Sequence, residues 1–311
     1  MSAVQRSQWP AGDGIHLGAD ELIALRGRCR ALFLPGRQPA RSALAGPHHS
    51  RFRGRGVDYL ESRNYLPGDD IRNMDWRVTA RTGRPHTKVF QEERERPIMV
   101  AVDRNPGMFF GTRARLKSVQ AAYLAAALGW IAVQRGDRIG GVIFGGGVHQ
   151  ELRPSGGRRG VMRLVQQLVR LCQPGEDNGT DPLGETLQRM RNVVRPGSLL
   201  VIISDFFSLN GNADRHLSRL SQHNDVVGCQ VLDPAEVALP AGRYPITDGH
   251  QDGVLDTIQN KSRQRFETLA AQHQQQPRQL FLRYNCRWLS VATPDDPVDH
   301  LGRALRGFNA R

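Results

Sequence analysis

Between Ile98 and Val291, short apolar runs alternate with stretches of helical period, and this alternation decides the fold class. Ile98–Val102, Leu199–Ile203 and Val226–Leu232 are near-continuous apolar segments of strand length. A strand that is apolar on both faces must be covered on both, the condition of a central strand in a parallel sheet. Helical patterns at 113–134, 158–172, 182–194, 213–223, 257–275 and 297–308 supply that cover. Arg138–Phe144 and Val148–Leu152 are paired strands across Gly145-Gly146-Gly147, and 286–291 is the last strand. The pattern predicts an α/β domain with a doubly wound, mostly parallel sheet.

The first hundred residues read differently. Residues 19–34 carry a helical period, and Pro35 to Ser50 is a run of helix breakers. Arg26 to Arg55 holds eight Arg and no acid, a basic arm suited to an acidic surface. Residues 51–97 are dense in charge yet hold Tyr59, Tyr65, Trp76 and Phe90, too many large aromatics for a linker. Three segments are expected: an N-terminal helix and basic arm at 1–50, a charged subdomain at 51–97, and the α/β domain at 98–311.

Several classes drop out. A phosphate-binding P-loop needs Lys before Ser or Thr in a Gly-rich turn, and Lys88, Lys117 and Lys261 have no such setting. No GxGxxG opens a helix, and no GxSxG or HExxH occurs. His48-His49 lies in the breaker run without a neighbouring acid or Cys. Cys29, Cys172, Cys229 and Cys286 have no zinc spacing. The net charge of +13 is spread along the chain, whereas a dedicated nucleic-acid surface is clustered. The start shows no apolar signal region, and the apolar run 121–133 is too short to span a bilayer. A reduced, cytoplasmic protein is expected, without membrane contact.

The carboxyl edge of the sheet is where chemistry is expected, because open α/β sheets bind ligands where strands end. Asp103 and Asp205 close two strands, and Thr180 precedes a helix. Two carboxylates and a hydroxyl suit one hard cation such as Mg²⁺ or Mn²⁺. The same acids also serve as caps of turns and helix starts.

In 51–97 the string Arg63-x-Tyr65-x-Pro67-Gly68-Asp69-Asp70, Arg72, Asp75-Trp76, Ala80-Arg81-Thr82-Gly83, Lys88 and Glu92-Glu93-Arg94 follows Gly54-x-Gly56. It resembles the signature of a bacterial family, domain of unknown function 58. Gly136-Asp137-Arg138, Gly179-Thr180-x-Pro182-Leu183-Gly184, Ser204-Asp205 and Asp233-Pro234 extend the resemblance over residues 20–308. It implies a von Willebrand factor type A-like domain behind the signature subdomain. It also implies a metal-ion-dependent adhesion site of the form Asp-x-Ser-x-Ser, with a distant Thr and Asp. Here Asp103, Thr180 and Asp205 match, Asn105 replaces the first Ser, and Gly107 replaces the second and removes an oxygen.

Family members are commonly encoded beside AAA+ ATPases of the MoxR group. The resemblance therefore implies a non-enzymatic adaptor for such an ATPase, a client, or both. Its ligand set would be Asp103, Asn105, Thr180 and Asp205. Asp69, Asp70, Arg72, Asp75, Trp76 and Arg81 form either an ion-pair network that packs this subdomain onto the sheet, with Trp76 as apolar anchor, or a partner surface. A nucleic-acid-binding protein and a metal-dependent hydrolase are the alternatives; the hydrolase lacks a visible base or nucleophile beside its carboxylates.

Overall fold

In a computed structural model the described residues are 12–32, 57–92, 96–173, 179–247 and 252–309. Much of the basic arm, His48-His49, Gly54-x-Gly56 and Glu93-Arg94 lie outside them. The chain divides into two compact units, Ala40–Glu95 and the remainder. The N-terminal helix thus groups with the sheet rather than with the arm. That helix, α1 (Ala19–Arg28), buries Leu22 and Leu25 in the sheet unit's core, which explains the grouping.

The smaller unit is a two-stranded antiparallel ribbon, β1 (Val57–Asn64) against β2 (His86–Glu92), with α2 (Trp76–Thr82) between them. Polar bonds hold its described part together. Arg63 forks onto Asp69 at 2.9 and 2.8 Å. Asp69 also accepts from the Leu66 amide, and the Tyr65 hydroxyl donates to the Asp69 carbonyl. Asp75 caps α2 by accepting from the Val78 amide at 3.2 Å, and takes a 2.6 Å bond from the Ser62 hydroxyl on β1. Gly83 ends α2 with φ +71°, a left-handed turn that favours glycine.

The larger unit is built on six strands. These are β3 (Pro97–Asp103), β4 (Arg138–Gly145), β5 (Val148–Gly156), β6 (Leu199–Ser204), β7 (Asp225–Leu232) and β10 (Arg287–Ala292). Their spatial order is β10-β7-β6-β3-β4-β5. Counted within this sheet the order is the doubly wound one, 3-2-1-4-5-6. All neighbours are parallel except β5, which returns antiparallel at the edge. The expected doubly wound, mostly parallel sheet is present.

Side chains alternate across this sheet, as the period of two requires. Ile98, Val100 and Val102 face one core with α1, α3 (Lys117–Gln134), α4 (Gly157–Leu171) and α9 (Pro297–Asn309). Met99 and Ala101 face the other with α5 (Leu183–Val193), α6 (Gly211–Ser221) and Phe281 of α8 (Asn260–Arg283). Each fully buried Val, Leu, Ile or Phe contributes about 1.5–3 kcal/mol of transfer free energy. Among the described residues no helix is long and apolar enough to cross a membrane.

Two differences from the sequence expectation lie between β7 and β10. A short helix α7 (Pro234–Val237) and a hairpin, β8 (Arg243–Thr247) with β9 (Asp252–Asp256), occupy a stretch without strong apolar period. The helix expected at 257–275 runs on to Arg283, through Pro277. Pro277 removes one backbone donor, but its ring is buried one turn before the buried Phe281, so packing holds the helix across it.

Candidate functional site

The strand order reverses between β3 and β6, so the carboxyl ends of these two strands flank the topological switch point. Asp103 ends β3, and Ser204-Asp205 follows along β6. The two carboxylates expected from sequence therefore do come together. Asp103 is fully buried; it accepts from the Asn105 amide at 2.8 Å and from the Ser204 hydroxyl at 2.6 Å. Ser204 in turn accepts from the Phe206 amide at 2.8 Å. Phe206 has φ +64°, a left-handed conformation that costs a non-glycine residue about 1–2 kcal/mol. Its ring packs against Phe281 and Trp288, which holds that turn and fixes the direction of Asp205.

The cation beside these acids is a side chain. Lys117, the first residue of α3, is fully buried, and its Nζ donates to Asp205 Oδ2 at 2.8 Å. It also donates to Glu236, and the rings of Phe207 and Phe110 lie 5.4 and 6.0 Å away. Glu236 is placed by a capping box: Asp233 caps α7, and the Glu236 carboxylate accepts from the Asp233 amide at 2.8 Å. His273 of α8 stacks on Phe207 and approaches the Asp205 carbonyl at 3.0 Å. Helices α7 and α8 thereby close over the edge.

The electrostatics follow from burial. Burial, then the neighbouring Asp205, pushes Asp103 up to about 7. Burial works against the Lys117 ammonium, yet Asp205 and Glu236 outweigh it and hold Lys117 above the usual lysine range. Burial also raises Glu236, against the pull of Lys117.

A metal-ion-dependent adhesion site does not fit these residues. The Asn105 amide oxygen already accepts from the Asp181 amide at 2.8 Å and the Gly146 amide at 3.3 Å. Gly107 offers no side-chain oxygen. Thr180 is exposed, and no hydrogen bond among the described residues ties it to Asp103 or Asp205. No group of three or more His, Cys, Asp or Glu among the described residues is gathered to hold a metal ion. Chemically the edge is a closed, charge-paired cluster.

Lys117, Glu236 and His273 escape the sequence reading. One signal was available for Lys117: it opens a helix that is otherwise almost wholly apolar, and a buried Lys is nearly always paired. Glu236 and His273 come from the stretch with weak period, so only the tertiary fold brings them in.

The ribbon separates its expected residues into two sets. Asp69 and Asp75 are engaged in the ribbon, Asp69 by Arg63 and Asp75 as the cap of α2, while Asp70 is exposed and accepts from the Arg72 amide. The Arg63 guanidinium holds Asp69 below the usual carboxylate range, and the Ser62 hydroxyl does so for Asp75. Arg72, Trp76 and Arg81 are exposed. Trp76 is 67% exposed.

Residues 61–276 match the family described as Protein of unknown function DUF58. An uncharacterized protein of Mycobacterium tuberculosis is 31% identical over 246 residues, covering 78% of this chain and 77% of that protein. A counterpart in Mycobacterium bovis matches equally. Among solved structures, the conserved hypothetical protein BatB of Bacteroides thetaiotaomicron aligns with a TM-score of 0.43 at 13% identity, over 70% of this chain and all of that one. A von Willebrand factor type A structure from Catenulispora acidiphila aligns with a TM-score of 0.34 at 14% identity, over 47% and 35% of the two chains. With more than half its length matched by the family and a relative at this identity, the chain belongs to the DUF58 family.

Proposed function

We propose that this chain is a cytoplasmic protein-interaction module, an adaptor that links a MoxR-type AAA+ ATPase to a client during complex assembly. One observation carries the reading. The ribbon exposes Trp76 at 67%, Ile71 at 63% and Leu66 at 58%, and none of its described side chains is a buried apolar one. Asp69 and Asp75 are engaged within the ribbon, while Arg72, Arg77, Arg81 and Arg84 are exposed. Trp and Arg are the residue types that dominate binding energy at protein interfaces. The partner surface that fits is an apolar pocket rimmed by carboxylates.

The test is direct binding of the full chain to a purified MoxR-type ATPase with Mg²⁺ and ATP. The expected result is saturable binding that Trp76→Ala weakens at least tenfold and that weakens as salt is raised. No binding, or equal binding by Trp76→Ala, would reject the reading.

A second reading has one observation of its own. Helix α4 exposes Arg158, Arg159, Arg163 and Arg170 and carries no acid. Such a face suits a polyanion, including nucleic acid. Retention on DNA with a steep salt dependence, lost when these Arg are replaced, would favour it.

A further inference from the structure

We propose that the Lys117 ammonium is a built-in cation that takes the place of a divalent ion at the carboxyl edge, and that its removal converts the same carboxylates into a divalent-cation site. The inference is independent of the ATPase reading.

The geometry is specific. Lys117 Nζ is shared by Asp205 and Glu236, carboxylates on two different elements, and Asp103 lies next to Asp205 on the neighbouring strand end. Two oxygens that share one ammonium lie within about 4–5 Å of each other. Two oxygens on opposite sides of a divalent ion, with bonds of about 2.1 Å, lie about 4.2 Å apart, at the lower end of that gap. The ammonium therefore sits where a bridging ion would sit, and the two exclude each other by volume and by charge. The aromatic rings of Phe110 and Phe207 complete the enclosure, as rings do around a cation.

The two departures from the adhesion motif are consistent with this occupant. A Cβ at Gly107 would stand 2.8 Å from Asp205 Oδ2, the oxygen that accepts from Lys117. A Ser there would press on the carboxylate that the lysine needs. At Asn105 the amide oxygen is committed to two backbone donors and holds the loop of Gly145–Gly147 instead of an ion. Gly145 makes that approach possible: its φ is +110°, and a Cβ would stand 2.5 Å from the Asn105 nitrogen. Together Gly107, Asn105 and Lys117 form one internally consistent arrangement with the positive charge supplied from within.

The experiment uses Mn²⁺ as probe, read by its electron paramagnetic resonance signal and by thermal melting of the full chain. Unsubstituted protein is expected to leave Mn²⁺ free at millimolar concentration and to melt identically in EDTA, Mg²⁺ and Mn²⁺. Lys117→Ala is expected to melt lower in EDTA, to recover with Mn²⁺, and to bind Mn²⁺ at least tenfold more tightly. Adding Asp205→Ala to it should abolish that gain. Lys117→Ser serves if the alanine variant does not fold. Mn²⁺ binding by the unsubstituted chain that Asp103→Asn or Asp205→Ala removes would overturn the proposal. Folded position-117 variants with no gain in Mn²⁺ binding would overturn it as well.

Discussion

The sheet unit and the described part of the ribbon are held together by different means. In the sheet, β3 and β6 are buried almost throughout, and both faces carry a packed core. In the ribbon, the only buried side chains among those described are Asp75 and Thr87. One unit rests on apolar burial distributed over dozens of side chains; the described side chains of the other, residues 61–88, are held by a few capping and forked hydrogen bonds. Local opening draws on regions with few buried apolar contacts, so among the described residues 61–88 is the stretch expected to open most readily. Polarity differs too: the sheet hides Asp205 and Glu236 around an internal ammonium, while the ribbon engages Asp69 and Asp75 and exposes Arg72, Arg77, Arg81, Arg84 and Trp76.

The largest effect that sharpens this contrast is in the core. Phe281 is fully buried against Phe206 and Trp288, and Phe281→Ala is expected to cost about 3–5 kcal/mol in denaturant unfolding. A loss below 1 kcal/mol would mean that the sheet does not depend on this packing.

Next comes the pH response, which has opposite signs in the two units. Asp103 is raised from 3.8 to about 7, so the folded sheet holds a proton that the unfolded chain releases. Its contribution is complete below about pH 4 and is lost as pH rises toward 7. Asp103→Asn should flatten the fall in stability over that window, measured by melting across pH. In the ribbon, Asp69 and Asp75 are lowered, so their contribution is complete above about pH 4 and is lost as pH falls further. Amide exchange in residues 61–88 should speed up on acidification beyond its intrinsic pH dependence.

A smaller, local effect is expected from Asp75→Ala. It removes the α2 cap and the bond to Ser62. Amide protection in α2 should fall several-fold while the global unfolding midpoint stays in place. A shift of that midpoint would erase the distinction between the units. Smallest of all, Trp76→Ala should leave the melting temperature unchanged, because the ring buries little within the ribbon.

The sheet was legible because its strands announce themselves: Ile98–Val102 and Leu199–Ile203 are too apolar to lie anywhere but between two layers. The meeting of Asp103 with Asp205 was legible for the same reason, since strand ends in a doubly wound sheet converge. Lys117 and Glu236 were not, because their pairing spans 119 positions and is written in no local pattern. Thr180 read as a ligand from its place before a helix and from motif spacing, and the fold leaves it exposed. In the ribbon, the density of charge was plain, but which charges turn inward depends on Arg63 forking onto Asp69 and on Asp75 capping α2, choices set by turn geometry.

The most direct test of the division of labour is hydrogen–deuterium exchange on the full chain, free and saturated with a purified MoxR-type ATPase. New protection in residues 61–88, centred on Trp76, with exchange at 103–107 and 204–207 unchanged, is the predicted result. Protection at the strand ends with the ribbon unchanged would contradict the account and return the binding face to the carboxyl edge of the sheet.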